Sequence, residues 1–241
     1  APRLGEFTPL SLANTVWAFA VADVLAPQLF GPTFAARCEA LPLDNESLSQ
    51  LHQWQLWLSL ERGADGQQHL LSESERRLCC DAMHGTQLRV SALQRSVAAA
   101  LAAVCFGFEE EYVEPRTGYS LDLALPSSRI AIEVDGPTHF LLPDGRGVRR
   151  PNGPTLLKRR LLAAAGWRVI SVPFYEWDGL RCGIPARQAS ARQTYLERTV
   201  LPKIEERGAK AATDGAAGGS AVESAAVRVG TAAGKEAAKA A

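Results

Sequence analysis

The stretch from Ser120 to Phe140 constrains the fold more than any other part of the chain, because its apolar residues strictly alternate with other residues. One apolar set is Leu121, Leu123 and Leu125, and the next, after the segment Pro126-Ser127-Ser128-Arg129, is Ile130, Ile132 and Val134. A period of two is typical of β-strands, and the intervening segment predicts a hairpin loop. If Leu125 pairs with Ile130, both apolar sets lie on one face, which favours that register.

The same register predicts a group of carboxylates on the opposite face of the hairpin. Asp122 lies directly across from Glu133, and Asp135 follows two residues later on the side of Glu133. Like charges opposite one another destabilise a strand pair. The arrangement therefore predicts a nearby cation, and three alternatives remain: a metal ion, a basic side chain or a shared proton.

Composition excludes several classes of protein. The 241 residues suffice for one or two domains, and the formal net charge of zero means that any nucleic-acid-binding surface must be local. The five cysteines lack metal-ligand spacing, which predicts reduced, mostly buried thiols instead of a disulfide framework or a zinc site. No apolar run reaches transmembrane length. Because the first residue is alanine, we expect a fragment of a longer chain.

The chain divides into a helical half and a mixed half. Thr8-Pro9 predicts a helix start, Asp44 or Asn45 a second, and Ser91 a later one; residues 63–69 are predicted to be a polar loop. After Gly107 the pattern predicts a strand near Glu109, the hairpin, a helix ended by Gly166, a buried strand and a final helix. The predicted class is α+β: an α-helical repeat-like array over residues 1–106, an α/β domain over residues 107–207, and a disordered Ala/Gly-rich tail over residues 208–241.

The second half resembles the RAP domain, through motifs that occur in a fixed order. They are Glu133-Val134-Asp135-Gly136, His139-Phe140, Lys158-Arg159-Arg160, Gly166-Trp167 and Pro173-Phe174-Tyr175-Glu176-Trp177. The resemblance implies a restriction-endonuclease-like fold. It also implies an RNA-binding protein that acts on chloroplast or, alternatively, mitochondrial transcripts, with single-stranded RNA and other proteins of an organellar ribonucleoprotein assembly as partners. The segment Ser11–Ala20 resembles the helical repeats of octotricopeptide-repeat and FAST-kinase-like proteins.

Nucleases of the implied fold place an aspartate on one strand and a Glu-x-Lys motif on the next, where they hold a divalent metal. Asp122 and Glu133 match the first two places, whereas Asp135 stands where lysine is expected. Mg²⁺ or Mn²⁺ suits such oxygen ligands, and Lys158 is the candidate substitute for the missing lysine. The alternative is a non-catalytic site in which the carboxylates pair with Lys158, Arg159 or Arg160, and this alternative is favoured. His139 is interpreted either as a metal ligand or proton carrier, or as a structural residue.

Residues 145–175 hold seven basic side chains and no acidic one. We interpret them, with an aromatic residue at the end of the stretch and a second one two residues later, as an RNA-binding surface in which arginines neutralise phosphates and rings stack on bases. The set is Arg146, Arg149, Arg150, Lys158, Arg159, Arg160, Arg168, Tyr175 and Trp177. The alternative interpretation is a solvated basic face beside aromatic residues of the core.

Overall fold

The structure is a computed structural model that describes residues 4–84, 90–105, 107–143 and 147–206. Over these residues it contains both helices and a sheet, which confirms the predicted α+β class. In chain order the elements are α1 (Pro9–Ala22), α2 (Pro32–Ala40), α3 (Asn45–Glu61), α4 (Gly63–Gln67), α5 (Glu73–His84), α6 (Ala92–Leu101), β1 (Glu109–Val113), β2 (Ser120–Leu125), β3 (Ile130–Asp135), α7 (Gly153–Ala164), β4 (Arg168–Pro173), α8 (Phe174–Asp178) and α9 (Pro185–Thr199). Arg146 and the predicted disordered tail lie outside the described residues.

The chain forms two compact units, and each is assembled from three separate stretches. The first comprises Ala1–Leu88, Val113–Ser120 and His139–Trp167; the second comprises Arg89–Tyr112, Leu121–Thr138 and Arg168–Ala241. Helix α7 therefore belongs to the unit of the N-terminal helices, and α6 to the unit of the sheet. The boundary predicted at residue 107 stays a prediction, although the compact units do not follow it.

In the first unit, α3 is the central helix, packed by α1, α5 and α7. Its buried side chains include Leu51, Trp54, Trp57 and Leu58, which recur at helical spacing and form its apolar face. The predicted helix starts are confirmed, because the side chains of Thr8 and Asp44 accept hydrogen bonds from main-chain N–H groups of the first turns of α1 and α3. Within the described residues, no helix has the length and apolar character needed to cross a bilayer.

The prediction of a polar loop over residues 63–69 is wrong, because Gly63–Gln67 forms the short helix α4. The reason is a close packing contact with the end of α3. A Cβ built on Gly66 would meet the Leu58 carbonyl oxygen at 2.1 Å, so only glycine permits this approach. Such a contact depends on three-dimensional packing and leaves no apolar periodicity in five residues.

The second unit is built on a four-stranded sheet in the order β1-β2-β3-β4. Strands β2 and β3 are antiparallel with Leu125 opposite Ile130 and Leu123 opposite Ile132, which confirms the predicted register. Strand β4 runs parallel to β3. Helices α6 and α9 contribute to the apolar core of this unit, together with the inward residues of the hairpin and Trp177 of α8.

The second face of the hairpin, which carries the carboxylates, is also buried along β3. All six residues of β3 are buried, including Glu133 and Asp135, which are only 3 % and 1 % exposed. Alternation along a strand normally indicates one solvated face. Here the small side chains of Ala124 and Ala131 lie on that second face and are also fully buried. The two carboxylates are therefore core groups that require polar partners.

Candidate carboxylate cluster and nucleic-acid interface

Asp122 lies where the ladder between β2 and β3 ends. Its Oδ2 accepts a hydrogen bond from the main-chain N–H of Val134 at 2.7 Å. The main-chain oxygen of Asp122 accepts a hydrogen bond from Gln94 Nε2 of α6 at 3.3 Å. The carboxylate of Asp122 thus accepts the hydrogen bond that a main-chain carbonyl would otherwise accept from β3. This side chain therefore has a structural role.

Glu133 and Asp135 project from β3 next to β4. In the parallel register Glu133 lies beside Ser171, and Asp135 lies beside Pro173. The Ser171 hydroxyl donates a hydrogen bond to Asp135 Oδ2. A serine on the neighbouring strand therefore supplies part of the polar environment that buried carboxylates need.

Among the described residues, no group of three or more histidine, cysteine, aspartate or glutamate side chains is arranged to hold an ion. A role of Asp122, Glu133 and Asp135 as ligands of Mg²⁺ or Mn²⁺ stays a prediction. Burial raises the pKa of the Cys38 and Cys79 thiols to about 12, so neither of them supplies a thiolate ligand near neutral pH.

Two further predicted site residues lie in the first unit. Lys158 of α7 places its Nζ 5.9 Å from the centroid of the Tyr119 ring, which is within the range of a cation–π contact. His139 ends a short 3-10 helix, Pro137–His139, and its main-chain oxygen accepts a hydrogen bond from the Asn152 N–H at 2.9 Å. The side chain of Asn152 in turn caps α7 by accepting the Thr155 N–H at 3.1 Å.

Arg160 of α7 has a structural role in the first unit. Its guanidinium donates to the carbonyl oxygens of Ala20 and Val21, both at 3.1 Å, where α1 ends. It also pairs with Asp23 Oδ1 at 2.8 Å and with Glu61 Oε2. Arg160 therefore joins the C-terminal ends of α1 and α3 and satisfies carbonyls that a helix end leaves without partners.

Asp23 is the acceptor at the centre of this group. It adopts a left-handed conformation, with φ of 60°, directly after α1. Its Oδ1 accepts a hydrogen bond from Trp57 Nε1 at 2.8 Å and an ion pair from Arg62. The Trp57 hydrogen bond, helped by Arg62 and Arg160, lowers the pKa of Asp23 below its ordinary value. Asp23 therefore remains ionised at neutral pH.

The basic loop before α7 is the more accessible part of the predicted RNA surface. The Leu141 N–H donates to the Arg150 carbonyl at 2.8 Å, and Phe140 bridges Pro151 in antiparallel fashion. These contacts hold the two arms of the loop side by side. Arg150 is exposed and Arg149 is half-buried. On the following helix, the side chains of Lys158 and Arg159 are also half-buried.

The remaining residues of the predicted RNA-binding set, Arg168, Tyr175 and Trp177, lie in the second unit and differ in their exposure and partners. Arg168 pairs with Glu206 at 2.7 Å, and Tyr175 is exposed. Trp177 is 0 % exposed and donates from Nε1 to Ser96 Oγ at 3.1 Å. A ring without accessible surface cannot stack on a base, so for Trp177 the alternative interpretation, an aromatic residue of the core, fits the structure.

Sequence reasoning missed a cleft in the second unit, which Asp178, Arg181 and Arg192 line together with Phe174 and Trp177. Arg192 lies four residues before the buried Leu196 on α9, which places it on the apolar face of that helix. The available signal for the cleft was a charged residue, Arg192, on the apolar stripe of a helix. This signal does not show which residues from other elements lie opposite, so it could not predict the cleft.

Comparison with known proteins finds a similarity in the second half of the chain. Residues 132–197 match the family described as the RAP domain, so the match begins within β3 and ends in α9. A stretch of 94 residues is 36 % identical to a RAP domain-containing protein, chloroplastic, of Oryza sativa subsp. japonica. The aligned stretch covers 39 % of this chain and only 14 % of that relative. The predicted resemblance to the RAP domain is confirmed over this segment.

Proposed function

We propose that this chain binds single-stranded RNA and acts in the metabolism of organellar transcripts, in the chloroplast in preference to the mitochondrion. The observation that carries the proposal is the RAP-domain match over residues 132–197, which encloses the basic loop and α7. The chloroplastic relative supports the organelle. A net charge of zero requires that phosphate contacts come from a local surface.

The side chains best placed for phosphate contact are Arg149 and Arg150 on the loop, followed by Lys158 and Arg159 on α7. Tyr175 is exposed and is the remaining candidate for stacking on a base. Arg160 and Arg168 are engaged by carboxylates, and Trp177 is buried. These three are therefore left out of the proposed RNA-binding set, and Arg146 lies outside the described residues.

A salt-dependence experiment tests the proposal. The double variant Arg149→Gln/Arg150→Gln is compared with Arg187→Gln/Arg198→Gln, which removes the same charge from exposed positions of α9. Fluorescence anisotropy with a short single-stranded RNA is measured over a salt series. If two phosphate contacts are lost, the slope of log K against log salt falls by about 1.4 in the loop variant.

The control variant should retain the wild-type slope. Equal slopes in both variants would remove the loop from the RNA-binding surface. Wild-type protein that binds no RNA at low salt would contradict RNA binding altogether and would favour a docking module of an organellar ribonucleoprotein assembly.

We also propose the restriction-endonuclease-like fold for the mixed domain. The chain order α6-β1-β2-β3-α7-β4, with Asp122 and Glu133 on adjacent antiparallel strands, supports it. The helical repeats of the octotricopeptide type remain a proposal for the N-terminal helices, supported by the resemblance of Ser11–Ala20.

The alternative function is that of a metal-dependent endoribonuclease that uses Asp122, Glu133, Asp135 and Lys158. The burial of Glu133 and Asp135 favours it, because buried carboxylates are frequent at catalytic sites. The absence of a suitable ligand group among the described residues weighs against it. RNA cleavage that needs Mg²⁺ or Mn²⁺ and disappears in a folded Glu133→Gln variant would establish this alternative.

A further inference from the structure

The basic loop before α7 carries exposed apolar side chains that contacts with phosphate do not use. Its described arms are residues 139–143 and 147–152. Leu141 is 54 % exposed, Leu142 is 93 % exposed and Val148 is 49 % exposed, and these three residues are called the apolar patch. Single exposed apolar residues are common on protein surfaces, whereas several that lie together mark an interaction site.

Main-chain pairing brings the apolar patch next to the arginines of the loop. The N–H of Leu141 donates to the Arg150 carbonyl oxygen at 2.8 Å, beside an antiparallel bridge between the two arms. Directly opposed residues of antiparallel arms are neighbours, so Leu141 lies beside Arg150. Leu142 and Val148 are within two residues of this pair, one on each arm. The loop therefore combines apolar surface and positive charge in one small region.

The charge of the loop indicates the chemistry of the partner. Arg150 is exposed and Arg149 is half-buried, and the described arms contain no aspartate or glutamate. A complementary partner therefore combines apolar side chains with carboxylates. RNA supplies anionic phosphates but no aliphatic side chains, so it leaves the apolar patch in water. A second copy of this chain would bring arginine against arginine at the same loop, which disfavours self-association.

We propose that the basic loop docks an acidic amphipathic helix of a partner protein, in addition to the proposed binding of RNA. The apolar side chains of the helix cover the apolar patch, and its carboxylates meet the two loop arginines. The patch measures on the order of a few hundred Å², which matches two or three turns of a helix with anchors at i, i+3, i+4 and i+7. An interface of this size is typical of a transient complex.

The probe is a labelled peptide with leucines at the spacing i, i+3, i+4 and i+7 and glutamates at most other positions. One matched peptide has serine in place of leucine, and a second has lysine in place of glutamate. Fluorescence anisotropy with the whole chain measures the three affinities. The acidic leucine peptide should bind about tenfold more tightly than either matched peptide, because each of these lacks one half of the complementary surface.

The variant Leu141→Ser/Leu142→Ser separates docking from RNA binding. It removes apolar surface but no charge, so peptide affinity should fall about tenfold while RNA affinity stays at the wild-type value. The matched control is Leu10→Ser/Leu78→Ser, which removes leucines that are 51 % and 49 % exposed on α1 and α5. This control should bind the peptide like the wild type. Urea unfolding of both variants establishes that they are folded.

The peptide and RNA should also compete, because both use the two loop arginines. Arg149→Gln/Arg150→Gln should therefore weaken the binding of both ligands, and unlabelled acidic leucine peptide should displace RNA from the wild type. Peptide binding by a wild type that binds no RNA would support docking and contradict the proposed function.

Equal affinities for the three peptides, or wild-type peptide affinity in the folded Leu141→Ser/Leu142→Ser variant, would overturn the docking proposal and leave RNA binding intact. Loss of RNA affinity in that variant would overturn it as well, because the leucines would then serve RNA. Vesicles of equal parts phosphatidylcholine and phosphatidylglycerol test a lipid surface. Vesicle binding that this variant abolishes, without any peptide binding, would replace the partner helix by a membrane surface.

Discussion

At the scale of single residues, Arg160 and Arg150 belong to the same basic segment but have different roles: Arg160 stabilises the fold, and Arg150 is proposed to bind RNA. Arg160 lies among four acceptors, while Arg150 is exposed on the loop. We expect Arg160→Met to lower the free energy of unfolding by about 2 kcal/mol. The substitution removes the donor and leaves the carbonyl and carboxylate acceptors around it without their charged partner. Urea unfolding measures the loss, and Arg150→Met is the control that should leave stability within about 0.5 kcal/mol.

The same pair of variants should have the opposite ranking in RNA binding. At a temperature where both are folded, Arg160→Met is expected to bind RNA like the wild type, and Arg150→Met more weakly. A strong effect of Arg160→Met on RNA affinity without loss of stability would show that its contacts in the first unit do not define its role.

The burial of His52 is expected to make the stability of the protein depend on pH. His52 is buried on α3, and its Nε2 lies 2.9 Å from the Thr117 carbonyl oxygen. Desolvation lowers the pKa of His52 below its ordinary value of 6.5, so the folded state binds a proton less readily than the unfolded state. The contribution of His52 to stability is therefore full above pH 6.5 and falls as the pH drops from 6.5 towards the folded pKa.

Unfolding of the wild type and of His52→Gln at several pH values tests this prediction. The glutamine cannot titrate, so its free energy of unfolding should decrease less between neutral and mildly acid pH. Parallel pH profiles for the two proteins would contradict the lowered pKa.

Residue identity alone predicted the cap at Thr8 and narrowed the next one to Asp44 or Asn45, of which Asp44 is the cap, because a cap depends on neighbours within one helical turn. It did not predict the pairing of Arg160 with Glu61, which are far apart in the chain. It also could not separate Trp177 from Tyr175, since adjacent aromatic residues differ in exposure only after α8 packs against the core.

At the scale of elements, the end of α7 depends on Gly166. This residue has φ of 92°, and the hydrogen bonds from Gly166 N–H to Ala163 and from Trp167 N–H to Leu162 close the helix. Gly166→Ala forces a side chain into this conformation and is expected to cost about 1 kcal/mol of stability. Thermal or urea unfolding measures it.

Gly136→Ala is the matched control, because an added Cβ meets nothing within 4 Å and the backbone is not left-handed there. Its stability should stay within about 0.5 kcal/mol of the wild type. Equal losses in both variants would mean that the conformation of Gly166 is not the source of the effect.

The hairpin was predictable in register because alternation and turn length together leave one arrangement. The burial of both faces of the hairpin was not predictable, since the sequence pattern of β3 does not indicate which elements cover its second face. Helix α4 was missed for a similar reason, because a five-residue element is determined by the close approach of Gly66 to Leu58 and not by its own periodicity.

At the scale of the whole molecule, α7 lies in the second half of the sequence but belongs to the first unit, with the N-terminal helices. A Cβ on Gly153 would meet the side chains of Trp17 and Val21 at 3.2 Å, and α7 packs against both α1 and α3. A fragment of residues 107–206 would therefore expose the face of α7 that these helices cover. We expect it to bind a hydrophobic dye and to unfold at lower urea concentration than the whole chain. An unchanged unfolding midpoint would instead support the predicted boundary at residue 107.

The three-stretch assembly of the first unit also has a consequence for synthesis on the ribosome. Its last stretch ends at Trp167, about 80 residues after Leu88. At rates of roughly 5–20 residues per second, the N-terminal helices wait on the order of 4–16 s for α7 to emerge. During that interval the face of α3 that α7 will cover is open to chaperones, so translation speed through residues 89–167 becomes a determinant of the yield of folded protein.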